Sequence, residues 1–308
     1  MEAEHSTTTA VTRKWSDTNP VTFLSTLGAV SFVYSLVGHP VFLLVSRQQV
    51  ARDTLPLRSA ANSVYRDHGL RGLFRGSPMS VSGTVLSEAC YIGVLEYSKE
   101  YMPFQSKLVR DFWAGMIADA VSNLIFTPFS VVSQRQMTAG VGVNACTYSN
   151  SYSVARSLVK EEGVSALMRG TIIAMAMMPI SGMWWLVYEQ FKIGAYQVAP
   201  LLVPESQRNS ALGSTTDNPI INACVASSTS ILLALFLNPV YVLKIRVQVM
   251  AVPSGVRFRA LWIAADIFRS EGVASFYKGL RGNLLMAAIG GVGFGTIYEG
   301  SKKIADVT

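Results

Sequence analysis

The residues of this chain that could do chemistry stand in three copies, spaced by roughly one hundred residues. In each copy an arginine follows a proline by seven residues: Arg47 after Pro40, Arg135 after Pro128, and Arg246 after Pro239. Each copy closes with a glutamate and a lysine three residues apart: Glu96 with Lys99, Glu189 with Lys192, and Glu299 with Lys302. Because prolines, acids and bases recur in register, the pattern predicts one structural unit that is used three times.

Arrangements typical of enzymes and metal sites are missing from the sequence. It has no Ser/His/Asp set, no HExxH motif and no Walker lysine, and its three histidines and three cysteines are too scattered for a metal site or a disulfide framework. A glycine-rich stretch at 290–295 follows no strand, so we assign it to helix packing. The sequence therefore predicts no enzyme, no cofactor and no metal.

The elements that position these residues are predicted to be membrane helices. Of 308 residues, 50% are hydrophobic and only 15% are charged, against about 25% in soluble domains. Four apolar stretches without a charged residue have, or nearly have, the roughly 20 residues that a membrane span requires. Two more apolar stretches are interrupted by one acid each, Glu88 or Asp119. The six stretches are 18–46, 77–95, 112–134, 170–188, 218–243 and 282–298. We predict an all-α membrane protein with six transmembrane helices.

The charge pattern predicts how the chain lies in the membrane. The net charge is +7, and three long connections, 47–75, 135–169 and 244–281, are each basic, whereas both tails and the short connections are neutral or slightly acidic. By the positive-inside rule the long connections face the cytosol-like side and both termini face the other. Nucleic-acid binding is disfavoured because the positive charge lies at the ends of the spans. Glu2 and Glu4 are untypical of a cleaved targeting peptide.

The repeats divide the chain into segments of similar design. We place an N-terminal tail at 1–19, repeats at 20–105, 106–200 and 218–305, and a linker at 201–217. In each repeat a span with a proline is followed by a short surface helix and a second span. Since a proline bends a helix, three bent helices would converge at one end and enclose a central cavity.

Two sets of motifs resemble the mitochondrial carrier family. The glycine turns read HGLRGLFRG, EGVSALMRG and EGVASFYKG, and the second spans end in LEYSK, YEQFK and YEGSK. The resemblance covers about residues 20–305; more weakly, TPFSVVSQRQM and SGMWWLVYEQF resemble the subgroup that includes the branched-chain amino acid carrier. The resemblance to the mitochondrial carrier family implies a monomeric carrier of the mitochondrial inner membrane with both termini toward the intermembrane space. It also implies lipid, such as cardiolipin, at the helix starts after Gly76, Gly170 and Gly279.

The resemblance implies a matrix gate next to the three prolines, and this sequence departs from the family pattern there. The usual acid positions hold Phe42, Ser130 and Tyr241, and the base positions hold Val45, Ser133 and Lys244. We therefore expect closure by apolar packing with at most one polar contact, between Ser130 and Lys244. Gln49 and Gln248 match the glutamines that brace this gate in the family, and Met137 replaces the third.

The resemblance implies a second, cytosolic gate formed by the three Glu/Lys pairs at the ends of the second spans. Tyr188 and Tyr298 stand next to two of the glutamates and would brace the pairs. Because this gate is complete and the matrix gate is degenerate, we expect the matrix-open state to be favoured. Alternatively, the pairs are ordinary helix-end contacts between residues three apart.

The family's substrate contacts correspond to three pairs of uncharged residues: Gly83 with Thr84, Ala176 with Met177, and Ala287 with Ala288. A buried anion needs a paired cation, so the pairs favour a small neutral or zwitterionic solute, possibly an amino acid. Glu88 and Asp119 are either partners for a cation, an amino group or a proton, or polar contacts between helices. Two alternatives remain: a nucleotide or cofactor carrier, and an outer-membrane relative that does not transport and acts in membrane dynamics or protein insertion.

Overall fold

The computed structural model describes residues 20–142, 150–202, 218–250 and 258–290, and the regular elements within these ranges are helices. The α-helices are α1 Pro20–Val50, α2 Leu57–Gly72, α3 Ser77–Tyr101, α4 Lys107–Met137, α5 Ser151–Glu162, α6 Thr171–Ala176, α7 Met178–Leu202, α8 Pro219–Val249, α9 Arg259–Glu271 and α10, residues 280–290. Short 3-10 helices, Val164–Met168 and Val273–Tyr277, follow α5 and α9.

Three helices, α1, α4 and α8, have the same length of 31 residues and each contains one of the registered prolines. Their apolar segments, Gly28–Val50, Phe112–Met137 and Ile220–Val249, are long enough to cross a membrane. We call the ends of these helices beyond Pro40, Pro128 and Pro239 the proline end of the bundle. The opposite end, where α3 finishes after Glu96, is the glutamate end.

The second helix of repeat 2 is broken in the middle. It consists of α6 and α7, which meet at Met177, two residues before Pro179. Proline has no backbone N–H to donate to the preceding turn, so the helical ladder is interrupted there. The chain continues through a tighter turn in which the Ile180 N–H donates to the Met177 carbonyl at 2.9 Å. The sequence analysis did not anticipate this break, although Pro179 signalled it.

The registered glycines adopt the same backbone conformations in all three repeats. Gly69, Gly163 and Gly272 have φ of 63°, 82° and 78°, and Gly76, Gly170 and Gly279 have φ of 84°, 84° and 76°. Positive φ is readily adopted only by glycine, so the sequence spacing of these residues reports a real structural requirement. Gly163 and Gly272 end α5 and α9, Gly69 interrupts the helical backbone within α2, and the second set precedes the start of the next span.

Each surface helix is amphipathic and packs aliphatic residues on the proline-bearing helix of its own repeat. Val64 of α2 lies in one buried cluster with Leu43 of α1. Leu158 of α5 packs with Val131 of α4, and Ile263 of α9 packs with Val247 of α8. These contacts fix the glycine turns beside the proline end, where the candidate site lies.

Candidate functional site: the proline end and the polar interior

A ring of three arginines joins α1, α4 and α8 at the proline end. Each arginine donates its Nε hydrogen to a carbonyl near the end of the next helix: Arg47 to Met137 at 2.9 Å, Arg135 to Gln248 at 3.2 Å, and Arg246 to Gln49 at 2.9 Å. The last carbonyls of a helix have no partner within it, and a cation is favourable there. The expectation of closure with at most one polar contact is therefore wrong, because three charge-assisted hydrogen bonds close the ring.

The residues that accept these bonds also pack their side chains against the glycines that precede the second spans. A Cβ placed on Gly76 would lie 3.0 Å from Met137 Cγ, one on Gly170 would lie 3.3 Å from Gln248 Cγ, and one on Gly279 would lie 3.0 Å from Gln49 Cγ. The brace positions of the sequence analysis are thus brought together with these glycines in all three repeats. A larger residue at the glycine positions would push the helices apart.

Carboxylates hold the ring arginines of repeats 2 and 3. Glu162 lies 2.8 Å from Arg135 Nη2 and also pairs with Arg169. Glu271 accepts from Arg246 at Oε1 and, at 2.8 Å, at Oε2, and it also accepts from Lys278. Each carboxylate therefore connects a proline-bearing helix to the turn before the next span.

The electrostatics of these clusters follow from burial and from the partners. Burial alone would raise the pKa of Glu271, but hydrogen bonds and charges from Arg246 and Lys278 outweigh it and hold that pKa below its ordinary value. Burial, together with the charges of Arg259 and Arg135, lowers the pKa of Arg169 to about 10, so this guanidinium stays protonated at neutral pH. Glu271 and Arg169 are therefore ionised under physiological conditions.

Residues that precede the prolines tie the same helices to the glycine turns. His39 Nε2 lies 3.0 Å from the Arg75 carbonyl, and Asn238 Nδ2 donates to the Phe276 carbonyl at 2.8 Å. Both side chains are buried. The sequence analysis assigned no role to these two residues, whose polar side-chain atoms reach backbone carbonyls of the glycine turns.

The polar residues of the predicted matrix gate make other contacts than expected. The Ser130 hydroxyl lies 3.3 Å from Nε2 of Gln248, and Ser133 donates to the Gly76 carbonyl at 2.9 Å. Lys244 makes no hydrogen bond to Ser130 and instead lies within electrostatic range of Asp119. Gln248 follows Lys244 by about one helical turn on α8. Gln248 therefore reaches Ser130 of α4, whereas Lys244 lies farther from the proline end, near Asp119 of the same helix.

At the glutamate end, the Tyr196 hydroxyl of α7 donates to Asn222 Oδ1 of α8 at 3.0 Å and accepts from the Asn218 N–H at 2.7 Å, but the ion pair that the structure describes there does not join two repeats. Glu96 and Lys99 form an ion pair of 3.5 Å within α3, and Lys192 lies 5.9 Å from the centre of the Tyr188 ring on α7. The Glu189 side chain and residues 298, 299 and 302 lie outside the described part. In this structure the helices α1, α4 and α8 are joined at the proline end. The expectation that the matrix-open state is favoured stays a prediction.

The predicted substrate contacts do not all line one surface. Gly83 lies against α4, where an added Cβ would be 2.5 Å from Phe129 Cβ, so it serves helix packing. Thr84 donates to the Ser80 carbonyl of its own helix at 3.0 Å, Met177 lies at the helix break, and the Ala288 carbonyl accepts from Ser227 at 3.0 Å. Ala176 is exposed and Ala287 is half-buried.

Two polar clusters lie between the helices at mid-depth. In the first, Glu88 of α3 accepts a hydrogen bond from Ser31 of α1 and lies near Tyr34, while its Oε2 atom is buried without a hydrogen bond partner. In the second, Asp119 of α4 lies within electrostatic range of Tyr91 and Lys244. Two acidic side chains, Glu88 and Asp119, and one lysine, Lys244, thus lie inside the described spans. No set of His, Cys, Asp or Glu among the described residues is grouped to hold a metal.

Comparison with known proteins assigns the chain to a family of transporters. The family model for the mitochondrial carrier protein matches three times, at residues 18–106, 104–197 and 216–306. The chain belongs to this family: it is an all-α, multi-pass membrane protein of six transmembrane helices in three repeats. Members are transporters of small molecules rather than enzymes, and they are typical of the mitochondrial inner membrane. The fold class and the absence of enzymatic activity predicted from sequence are confirmed.

Three relatives show the breadth of this similarity. The chain is 25% identical to mitochondrial substrate carrier family protein E of Dictyostelium discoideum, over 87% of this chain and 90% of the relative. It is 25% identical to a probable S-adenosylmethionine carrier of Arabidopsis thaliana chloroplasts, over 91% and 73%. It is 26% identical to the mitochondrial glycine transporter of Mus musculus, over 91% and 83%.

Proposed function

We propose that this protein moves a small zwitterionic metabolite of the amino acid type across the mitochondrial inner membrane by alternating access. The observation that carries the proposal is the mid-depth Glu88, whose Oε2 atom is buried without a hydrogen bond partner. An unpaired carboxylate inside a membrane bundle is costly unless a cationic group joins it. The ammonium group of a solute would supply that charge, and Lys244 would receive its carboxylate.

The chemistry of the contact positions supports a solute of low net charge. Gly83, Thr84, Ala176, Met177, Ala287 and Ala288 carry no charge, so a nucleotide or a tricarboxylate would find no cation there. The relatives named for S-adenosylmethionine and for glycine point the same way, since both compounds contain an α-amino group and a carboxylate. The nucleotide alternative is thus less well supported.

The non-transporting alternative is opposed by the regularity of the proline end. A protein without a gating cycle has no need for three arginine–carbonyl bonds in register, yet all three are formed here. In the proposed cycle this ring is the matrix gate in its closed form, and the Glu/Lys pairs with Tyr188 and Tyr298 are the cytosolic gate. Solute binding would supply the free energy that separates the ring.

The orientation and surroundings of the carrier belong to the same proposal. The basic long connections would face the matrix and both termini the intermembrane space, as the positive-inside rule predicts. The starts of the second spans, after Gly76, Gly170 and Gly279, would bind cardiolipin head groups at free backbone N–H groups. A single chain would suffice, since all three repeats of the ring come from one polypeptide.

The experiment that tests this function is uptake into liposomes that contain the purified protein. A panel of radiolabelled amino acids and other zwitterions is compared with nucleotides and tricarboxylates. We expect uptake of a zwitterion, and Glu88→Gln should raise its KM about tenfold or more, corresponding to ~1.4 kcal/mol of lost attraction. Glu100→Gln, at an exposed position of the same helix, is the matched control. Uptake of polyanions alone, or an unchanged KM in Glu88→Gln, would refute the proposal.

A further inference from the structure

The membrane-spanning part of the sequence contains more acid than base. The six apolar stretches hold two acids, Glu88 and Asp119, and no lysine or arginine, and Lys244 follows directly after the fifth stretch. In their ionised forms these three side chains leave one negative charge without a counter-charge. Because an uncompensated charge inside a membrane bundle is costly, the excess favours a ligand that brings positive charge.

Lys244 and Asp119 lie on helix faces that are directed toward each other. Asp119 precedes Ser130 by eleven residues on α4, which is about three helical turns, so the two share a face. Lys244 precedes Gln248 by about one turn on α8, and Gln248 Nε2 lies 3.3 Å from the Ser130 hydroxyl. Among the described residues, Asp119 is the acid that acts on Lys244. The charge of Lys244 is therefore matched by that of Asp119.

Glu88 has no cation beside it among the described residues. Its neighbours on α1, Ser31 and Tyr34, carry no formal charge, and its Oε2 atom is buried without a hydrogen bond partner. A Cβ placed on Gly290 of α10 would lie 3.0 Å from the Tyr34 hydroxyl oxygen, so this cluster lies where α1, α3 and α10 meet. Glu88 is therefore the acid whose charge is left over.

The two acids lie at similar depth along α3. Tyr91 lies within electrostatic range of Asp119, and it follows Glu88 by three residues, about 4.5 Å along the helix axis. Glu88, Asp119 and Lys244 are each half-buried, so none of the three is sealed off by packing. The fold thus brings two acids and one lysine from three helices to one level of the bundle.

We propose that the transported solute is an amino acid whose side chain carries a second positive charge, and that Asp119 determines this specificity. The inference rests on the proposed function. If a solute with a single ammonium group binds Glu88 and its carboxylate takes Lys244, the charge of Asp119 is left uncompensated. A second cationic group near Asp119 balances it, so two cations and one carboxylate of the solute match two acids and one lysine of the protein.

Uptake of matched amino acids into liposomes that contain the purified full-length protein tests the inference. L-Arginine is compared with L-citrulline, and L-lysine with L-norleucine, because the members of each pair are similar in size and differ by one positive charge. We expect kcat/KM for the cationic member to be about tenfold higher or more. Asp119→Asn should reduce this ratio to about one, Asp119→Glu should restore the preference, and Glu100→Gln, at an exposed position of α3, should leave the ratio unchanged.

A binding measurement on the unaltered protein makes the test independent of how well the variants fold. L-Arginine should raise the thermal unfolding midpoint in detergent more than L-citrulline does at the same concentration, because a ligand that binds the folded state stabilises it. Equal uptake and equal midpoint shifts within each pair would overturn the inference and leave amino acid transport standing, as would a ratio that Asp119→Asn does not change. Failure to take up any amino acid would overturn both this inference and the proposed function.

Discussion

The two ends of the bundle are built on different principles. At the proline end, side chains of one helix bond to backbone carbonyls of the next, and buried carboxylates hold those side chains in place. At the glutamate end, the described ion pair joins Glu96 and Lys99 of the same helix. The comparison shows that three helices can be joined without acids at the family's usual gate positions. Helix-end carbonyls supply the acceptors instead, whatever side chain the residue carries.

Removing the most enclosed member of the ring should have the largest effect on the proline end. Arg246 is fully buried and bonds to the Gln49 and Ala51 carbonyls and to Glu271. Arg246→Met should lower the free energy of unfolding by about 3–5 kcal/mol, since it leaves a carboxylate with one cation instead of two. Thermal or denaturant unfolding in detergent measures this. Arg269→Met, at an exposed position of α9, should change little; equal losses in the two variants would contradict the ring.

The carboxylate of repeat 2 should come next. Glu162→Gln removes the charge between Arg135 and Arg169, and we expect a loss of about 1.5–3 kcal/mol. Unfolding midpoints of the variant and the unaltered protein at neutral pH measure the difference, and an unchanged midpoint would argue against an ion pair.

Packing should also distinguish the two halves of α3. Gly83 faces α4 at a distance that leaves no room for a methyl group, whereas a Cβ on Gly93 would meet nothing within 4 Å. Gly83→Ala should therefore cost about 1–3 kcal/mol by overpacking, and Gly93→Ala should stabilise the helix by about 0.5–1 kcal/mol. Unfolding of the two variants side by side gives the sign directly. The same sign for both would mean that α3 and α4 are not in close contact near Gly83.

The smallest effect is expected at the glutamate end. Glu96→Gln removes one ion pair between residues three apart in a helix, which is worth only about 0.2–0.5 kcal/mol. If this end also forms a gate, the variant should change transport rates far more than stability. Parallel measurements of the unfolding midpoint and of the uptake rate would show whether the variant affects transport more than stability. A loss of stability as large as that of Glu162→Gln would mean that the two ends are built alike.

Much of the architecture could be predicted from local sequence. The prolines and glycines limit the backbone by themselves, so their recurrence located the three proline-bearing helices and the positive-φ turns at Gly69, Gly163 and Gly272. The family resemblance drew attention to Gln49 and Gln248, whose side chains lie against Gly279 and Gly170. The break at Met177 had a signal in Pro179 that the sequence analysis did not use.

The contacts across the bundle could not be predicted from the residue types. The ring arginines bond to backbone carbonyls, which every residue possesses, so no pattern of acids could indicate them. Gly83 was predicted to contact the solute, but its place against Phe129 depends on how closely α3 approaches α4. The partner of Ser130 likewise depends on which turn of α8 faces α4, and this selects Gln248 over Lys244.

The sequence by itself determined the class of protein, the number of repeats and the positions of the glycine turns, because hydrophobic length and backbone restriction act locally along the chain. Only the tertiary structure decided which groups close the proline end and which cations each buried carboxylate contacts. Those outcomes depend on distances between helices that are far apart in sequence, as between Arg246 and Gln49. Glu271 shows the difference: its identity is plain in the sequence, but its role depends on its contacts with Arg246 and Lys278.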